Sequence, residues 1–297
     1  MAGMKKTGPA DRMFSIFNYI LLTLVLIFSI YPIYYILIYS VSTPLEAAKG
    51  IYLLPRGFTL DNYAKVLGLK GILNAAFISA ARTVLGTALT VVCCSFLAYL
   101  CTKREMYLRK VIYRLLVVTM YFNAGLIPWY LTMKLYSLNN NFLLYILPSA
   151  VSAFNVILVK TFIEQIPASM EESAKIDGAG YFRIFFRILF PLSMPIIATI
   201  AVFSAVNQWN SWTDNYFLVG SEKLTTLQLI LYNYLTQASR IATASAQDLN
   251  RGVGVQAITP AAIRMTITMV VTLPILFVYP FLQRYFVKGI MMGAVKG

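Results

Sequence analysis

The sequence contains no histidine, and only 12% of its 297 residues are charged. The lack of histidine excludes metal sites built on histidine and acid–base catalysis driven by histidine. Soluble domains carry about 25% charged residues, so this chain has too few ionic side chains to cover the surface of a globule of its size. With 59% apolar residues, the scarcity of charge indicates a protein whose main solvent is lipid.

Acidic residues are scarcer than basic ones: 11 Asp and Glu stand against 25 Lys and Arg, for a net charge of +14. On a soluble protein this excess would suggest nucleic acid as a partner. In a membrane protein it is typical of cytoplasmic loops, and we predict no nucleic-acid binding. Cysteine is also rare, and Cys93, Cys94 and Cys101 lie in one apolar stretch. We interpret them as free buried thiols and not as a disulfide or a metal site.

Six stretches without Asp, Glu, Lys or Arg are each long enough for one membrane-spanning helix. They are Met13–Leu45, Thr83–Thr102, Leu115–Met133, Leu135–Val159, Ile188–Thr213 and Met265–Gln283. We predict one all-α membrane domain over residues 1–297, with six transmembrane helices. The predicted spans are about 14–40, 72–101, 112–133, 142–162, 190–213 and 264–284. A further charge-free stretch, Leu224–Ser239, is short and rich in polar residues, and we interpret it as a helix outside the membrane.

The number of predicted spans is even, which places both termini on one side of the membrane. If the N-terminus is cytoplasmic, the predicted inside segments hold more Lys and Arg residues than the predicted outside segments. The positive-inside rule therefore favours cytoplasmic termini, and residues 286–297 become a cytoplasmic tail. The same topology makes residues 164–190 the one long cytoplasmic loop.

This loop carries the signals of two short helices joined by a turn. Pro167 suits a helix start, and Ser169 followed by Glu172 has the spacing of a capping box. Gly178 and Gly180 predict a helix stop or a sharp turn. An aromatic-rich helix is then predicted from Tyr181 onward. An ordinary amphipathic connector would fit the same local pattern.

Within the loop, the chain reads Glu171-Glu172-Ser173-Ala174-Lys175-Ile176-Asp177-Gly178-Ala179 and later Phe190-Pro191-Leu192. This pattern resembles the EAA loop of the permease subunits of ABC importers. Ser173 stands where alanine is more usual, and its small side chain is compatible with the docking surface of that loop. Over almost the whole chain the sequence looks like carbohydrate-uptake permeases, especially the branch that serves oligosaccharides, acidic ones included. That similarity is carried by Asn74, Ala98-Tyr99-Leu100, Gly125-Leu126-Ile127-Pro128, Trp209-Asn210-Ser211-Trp212 and Gly293-Ala294-Val295-Lys296-Gly297.

The resemblance implies a type I ABC importer permease fold in the bacterial cytoplasmic (inner) membrane, with the short loop helix docked in a groove of an ATPase. The residues implied in this ATPase coupling are Met170, Glu171, Glu172, Ser173, Ala174, Asp177, Gly178 and Ala179. Implied partners are a second permease subunit, two ATPase subunits that bind ATP and Mg²⁺, an extracytoplasmic solute-binding protein and membrane lipid. The chain itself would bind no cofactor or metal and would not be an enzyme. Its C-terminal tail would reach toward the ATPase, although a frayed terminus fits as well.

Arg82 is a charged residue within the second predicted span. An arginine that faces lipid near the bilayer centre costs about 2.5–3.5 kcal/mol. Arg82 should therefore face a cavity, a partner subunit or the outer interface. Two interpretations stay open: a polar contact for a passing saccharide, acidic ones included, or a structural arginine between helices.

The end of the fifth predicted span is rich in amides and indoles. Aromatic rings stack on the C–H faces of sugars, and amides hydrogen-bond to their hydroxyls, so this segment is a candidate for the substrate pathway. The alternative is an aromatic belt at the membrane interface, which explains the rings but not the amides beside them. The candidate residues are Asn207, Gln208, Trp209, Asn210 and Trp212, with Asn123 as a weaker candidate elsewhere in the chain.

Two further absences bear on the mechanism. The sequence has no Gly-x-x-x-x-Gly-Lys-Ser/Thr loop for ATP. No Asp or Glu lies in the six charge-free windows, where a proton-coupled carrier would need one. We therefore predict a permease subunit that moves a saccharide by alternating access while partner subunits hydrolyse ATP. A secondary, ion-coupled carrier is the main alternative, and a purely structural membrane protein is a third.

Overall fold

The computed structural model describes residues 9–236 and 260–294, with side chains over 11–236 and 260–277. Within these ranges the chain is helical, and an isolated antiparallel bridge joins Ser42 and Phe58. The all-α prediction is confirmed for this part of the chain. The chain divides into two compact units. The first holds the described residues up to Gly68 and the last helix up to Val270, and the second holds Leu69–Thr236 with the rest of that helix.

The first unit consists of a long helix, two short helices and the start of the last helix. Helix α1 spans Pro9–Ser40, α2 spans Pro44–Ala48 and α3 spans Asp61–Leu67. The buried Asn62 side chain ties the chain after α1 to α3, because it donates to the carbonyl oxygens of Ser40 at 2.9 Å and Ser42 at 2.8 Å. The small core of the unit is formed by Ile38, Tyr39, Ala47, Ile51 and Ala262.

The second unit is organised around three helices that pack along one another. These are α4 (Ile72–Thr102), α7 (Ala153–Ile163) and α11 (Met194–Asn210). Their contact buries small residues of α4 such as Ala98, which lets the helix backbones approach closely, as is usual for helices in membranes. The core they share includes Cys94, Ala98, Tyr99, Val156, Val159 and Ile200.

Shorter elements surround this three-helix core. They are α5 (Arg109–Thr119), α6 (Leu126–Leu135), a 3₁₀ turn (Phe142–Tyr145), α8 (Ser169–Ile176), α9 (Tyr181–Ile184), a π-helical turn (Phe185–Leu189), α10 (Phe190–Leu192), α12 (Thr213–Leu218), a 3₁₀ turn (Glu222–Leu224) and α13 (227–236). The last helix, α14, spans Pro260–Ala294.

Three helices of the described chain are long and apolar enough to cross a membrane. They are Asp11–Ser40, Ile72–Thr102 and Pro260–Phe277, and a fourth span results if Tyr181–Leu192 and Met194–Asn210, which meet at 84°, count as one. These helices coincide with four of the predicted spans, namely 14–40, 72–101, 190–213 and 264–284. The count of six spans and the cytoplasmic position of both termini stay predictions.

The two middle predicted spans, 112–133 and 142–162, are each divided into shorter pieces instead of forming one continuous helix. In the first, α5 and α6 are separated where Gly125 adopts a φ of +84°, a conformation that favours glycine. In the second, the 3₁₀ turn precedes Pro148, which has no N–H for a helix ladder, and α7 begins only afterwards. A search for stretches without charged residues cannot detect these breaks in the helices.

The loop of residues 164–190 is a helix–turn–helix, as predicted, and α8 ends before Gly178, whose φ is +76°. The capping-box prediction is wrong. Ser169 is already the first residue of α8, the N-cap is Ala168, and no side chain caps this end. The reason is local, because the hydrogen bonding of the turn begins before Ser169. The Met170 N–H already donates to the Pro167 carbonyl oxygen at 3.2 Å.

The extramembrane helix predicted over Leu224–Ser239 is present as a helix at 227–236. Its last predicted residues and the C-terminal tail beyond Ala294 lie outside the described residues. Its place relative to the membrane stays a prediction. Of the three cysteines, Cys94 and Cys101 are buried and Cys93 is half-buried, and all three are free thiols.

Candidate functional site

A cavity of about 550 Å³ lies inside the second unit. We call it the arginine cavity. It is bordered by α4, the start of α6, the segment after the 3₁₀ turn of Phe142–Tyr145, and the region where α11 gives way to α12. Its polar lining consists of Arg82, Asn123, Tyr145, Ser149, Asn207, Gln208, Ser211, Thr213 and Asp214. The cavity therefore presents amides, hydroxyls and one pair of opposite charges.

Arg82 is the most strongly bonded side chain of this lining, with only 2% of its surface exposed. Its guanidinium donates to both carboxylate oxygens of Asp214, at 2.5 and 3.2 Å, and to the Ser211 carbonyl at 3.2 Å. It also lies 4.4 Å from the centroid of the Tyr145 ring. This fork-to-fork arrangement has the geometry of a strong charge-assisted pair. Arg82 thus faces away from lipid, and it is both an interhelical arginine and part of a cavity wall.

Asp214 is the functional candidate that the sequence analysis missed. It is 8% exposed, and its Oδ1 accepts a hydrogen bond from the Asn215 N–H at 2.8 Å. It lies one residue beyond the charge-free window that ends at Thr213, so the search for acids inside windows did not find it. Arg82 itself was the available signal, because a lone arginine in one apolar helix is expected to pair with a carboxylate from another segment.

Gln208 links the arginine pair to the opposite wall. Its Oε1 accepts from Arg82 Nε at 3.2 Å, and its Nε2 donates to the Ser149 hydroxyl at 2.5 Å. The side chain is 2% exposed and fills the space above Gly86 of α4, where an added Cβ would lie 2.7 Å from Gln208 Cδ. The absence of a side chain at Gly86 is therefore what admits the amide.

The predicted pathway residues divide into two groups. Arg82, Asn123, Asn207 and Gln208 line the arginine cavity. Trp209, Asn210 and Trp212 are not among its lining in the described chain. The Trp209 indole N–H donates to the Val271 carbonyl at 3.0 Å, and the Trp212 ring stacks on Tyr232 with centroids 3.9 Å apart, so these two indoles are used in packing.

The short helix α8 forms the second candidate region, and it has two different faces. Ala174 is 8% exposed and belongs to the core of the second unit, and Ala179 packs against that core. Met170 is 46% exposed. The other exposed positions on and just after the helix are Ser169, Glu172, Ser173, Lys175, Ile176, Asp177 and Gly178. Of the predicted coupling residues, only the exposed set is therefore free to meet another protein.

Glu171 belongs to the inner face of α8 and not to the outer one. It forms an ion pair with Lys103 at the end of α4, and Lys175 Nζ lies 3.4 Å from its other carboxylate oxygen. Lys175 Nζ also lies 3.6 Å from Glu105. These four residues form a chain of alternating charge that holds α8 to the segment following α4, and we call it the loop cluster.

The loop cluster shifts the titration of its outer members. Partial desolvation acts to lower the pKa of Lys175, but its hydrogen bond and charge interaction with Glu171, and then Glu105, outweigh it and raise the pKa. A hydrogen bond from its own backbone N–H, followed by the charge of Lys175, lowers the pKa of Glu105. Both groups are therefore charged over a wider pH range than usual.

Apolar helices long enough to cross a membrane, together with a polar cavity inside a helical core, are typical of a helical membrane protein. The family is shown by sequence. Residues 1–292 match the family of binding-protein-dependent transport system inner membrane components, and the chain belongs to this family.

Individual relatives agree with this assignment. The chain is 36% identical to Protein LplC of Bacillus subtilis over 97% of its own length and 96% of that protein. It is 34% identical to YtcP of the same organism, a polygalacturonan/rhamnogalacturonan transport system permease, over 97% of its own length and 99% of that protein. A crystal structure of a bacterial ABC transporter involved in the import of the acidic polysaccharide alginate contains a chain with a TM-score of 0.84. The two chains are 30% identical, covering 95% of this chain and 100% of that one. The predicted resemblance to oligosaccharide ABC permeases is confirmed.

Proposed function

We propose that this chain is a permease subunit of an ATP-driven importer that carries an oligosaccharide, with uronate-containing chains as the substrate class. The observation that carries the proposal is the arginine cavity: a polar chamber inside the helix bundle of a chain from a transport family. Amides and hydroxyls are the groups that hydrogen-bond to sugars, and a ligand site of this kind is typically concave with a few convergent polar groups.

Relatives support the acidic substrate class. One is named for polygalacturonan and rhamnogalacturonan transport, and the structural neighbour comes from an alginate importer. Arg82 is the cationic side chain in the cavity lining, and Asp214 already neutralises it. A substrate carboxylate would therefore bind by competing with Asp214 for the guanidinium, which is a planar group suited to carboxylates.

The remaining parts of the proposal follow the family. A second permease subunit completes the pathway, and an extracytoplasmic binding protein delivers the saccharide. Two ATPase subunits bind ATP and Mg²⁺ and dock on the exposed face of α8, and their closure drives alternating access. The chain is a multi-pass protein of the bacterial cytoplasmic membrane with both termini inside, and residues 286–297 extend toward the ATPases.

The test is uptake by the assembled importer in proteoliposomes, with trigalacturonate and raffinose as radiolabelled probes. We expect ATP-dependent uptake, faster for trigalacturonate, that requires the binding protein. An Arg82→Ala/Asp214→Ala variant that still assembles should lose the preference for the acidic probe. Uptake driven by an ion gradient without ATPase subunits would support a secondary carrier instead, and absence of uptake for both probes would overturn the proposal.

A further inference from the structure

A second cavity of about 350 Å³ adjoins the arginine cavity within the second unit. We call it the phenylalanine cavity. It lies between α4, α7 and α11, and it shares two lining residues, Ser149 and Asn207, with the arginine cavity. Neither the sequence motifs nor the predicted pathway residues drew attention to it, apart from Asn207.

Two polar residues of this lining are almost fully buried. Asn155 of α7 is 5% exposed and Ser204 of α11 is 7% exposed. The Thr90 hydroxyl in the same wall is paired, since it donates to the carbonyls of Gly86 and Ser149, both at 2.8 Å. An amide and a hydroxyl that border one cavity are suited to hydrogen-bond a hydroxyl-bearing molecule that enters it.

Aromatic side chains form another part of the same lining. Phe154 and Phe203 both border the cavity, with ring centroids 6.2 Å apart and planes inclined by 41°. A pyranose ring has one C–H face that suits aromatic carbon and an edge of hydroxyls that suits amides. The phenylalanine cavity therefore offers both halves of a sugar site. Its lining holds no ionisable side chain, so it suits hydroxyls and not carboxylates.

The two cavities share part of their lining, at Ser149 and Asn207. Ser149 lines both cavities, and its hydroxyl accepts from Gln208 Nε2. Gln208 is held on its other side by Arg82. A saccharide that binds Arg82 would therefore disturb a residue that is bonded to this shared lining.

We propose that the phenylalanine cavity is a second saccharide-binding site, which takes the neutral, hydroxyl-bearing part of one sugar unit between Asn155 and Ser204 on one side and Phe154 and Phe203 on the other. It shares Ser149 and Asn207 with the arginine cavity. The inference rests on the proposed function, and it divides the pathway into a charge-bearing chamber and a neutral one.

The test uses the assembled importer in proteoliposomes with trigalacturonate and raffinose as probes. Asn155→Leu and Ser204→Ala each remove one bonding group, and Val206→Ala on α11 is the matched control because it borders neither cavity. We expect each lining variant to raise the KM for both probes by about 10-fold or less, the effect of one hydrogen bond. The control should leave the KM unchanged.

Direct occupancy is measured by labelling Ser204→Cys with a charged methanethiosulfonate, with Val206→Cys as control and the parent chain as the baseline. We expect faster labelling at position 204 than at 206, slowed by saturating trigalacturonate. If the parent takes up the probes but trigalacturonate gives no protection at 204, and the lining variants behave like Val206→Ala, the second site is wrong while the proposed function stands. If the parent takes up neither probe, the proposed function fails and the second site fails with it. Because Asn155→Leu alters a buried position, assembly of each variant is checked by gel filtration, and Ser204→Ala tests the site if Asn155→Leu does not assemble.

Discussion

The second unit holds two clusters of opposite charges that differ in their access to water. The Arg82–Asp214 pair has side chains only 3% and 12% exposed. In the loop cluster, the Lys103–Glu171 pair is 11% and 15% exposed, but Lys175 and Glu105 reach 39% and 59%. Ion pairs thus occur both in the buried wall of the arginine cavity and in the loop cluster, whose members become more exposed toward the surface. Because burial decides how much a lost partner costs, the two clusters should respond very differently to substitution.

The largest effect is expected at Asp214. Asp214→Asn leaves the Arg82 guanidinium buried without its carboxylate, and breaking a buried pair costs about 3–5 kcal/mol. Thermal unfolding of the purified importer should show a much lower midpoint. As a control, Arg82→Met/Asp214→Leu removes both charges and should recover most of the stability. A single variant as stable as the parent would contradict the account of this pair.

The next effect separates two neighbouring glutamates of α8. Glu171→Gln weakens charged hydrogen bonds to Lys103, which are worth about 1.5–3 kcal/mol, so the free energy of unfolding should fall. Glu172→Gln is the matched control, since Glu172 is exposed and surface changes usually stay within about 0.5 kcal/mol. Equal thermal midpoints for the two variants would show that the inner face of α8 is not held by the loop cluster.

A further variant tests how the buried cluster is positioned. Gly86→Ala places a methyl group against the Gln208 side chain, and overpacking of this kind costs about 1–3 kcal/mol. In a Gln208→Ala background the methyl group meets no amide, so the cost should largely vanish. A double-mutant cycle of thermal stabilities measures this coupling; additive effects would mean that Gly86 and Gln208 do not constrain each other.

The smallest effect concerns pH at the outer end of the loop cluster. The pKa of Glu105 is lowered in the folded protein, so its contribution to stability is present above its unfolded pKa, about 4.3, and is lost as pH falls through the folded pKa. The difference in thermal midpoint between the parent and Glu105→Gln should therefore be small at neutral pH and disappear in acid.

Salt provides the control for this last measurement, because exposed charge pairs are screened by it. The Glu105→Gln difference should shrink at high ionic strength, while the Asp214→Asn difference should persist. A Glu105 effect that survived both acid and salt would point to packing and not to charge.

The helical character of the chain could be predicted from where charge is missing, because long apolar segments in lipid must bond their backbone internally. What this pattern could not show is where a helix breaks. Gly125 and Pro148 interrupt two charge-free windows through backbone conformation, which composition does not reveal. The prediction of a capping box at α8 was wrong for a similar reason. Ser169 has the right spacing to Glu172 for a cap, but the turn from Pro167 begins the helix before it.

The arginine cavity was partly predictable, since a polar side chain in an apolar helix must face something other than lipid. Arg82 was found in this way, and Gln208 was found through the cluster of amides and indoles at the end of the fifth predicted span. Asp214 was missed because it stands just outside an apolar window, and its role exists only through a partner 132 positions earlier. Asn155 and Ser204 were missed because single polar residues of this kind are common in apolar helices, and only the structure shows that both border one cavity.

The 84° bend between Tyr181–Leu192 and Met194–Asn210 has a mechanical consequence. It joins the segment that follows α8 directly to α11, while the Lys103–Glu171 pair ties α8 itself to the end of α4. The loop is therefore attached at two points, one on α4 and one on α11, and these two helices meet at Gly86 and Gln208. A displacement of α8 would therefore act on both helices, which contact each other where the Gln208 amide lies over Gly86.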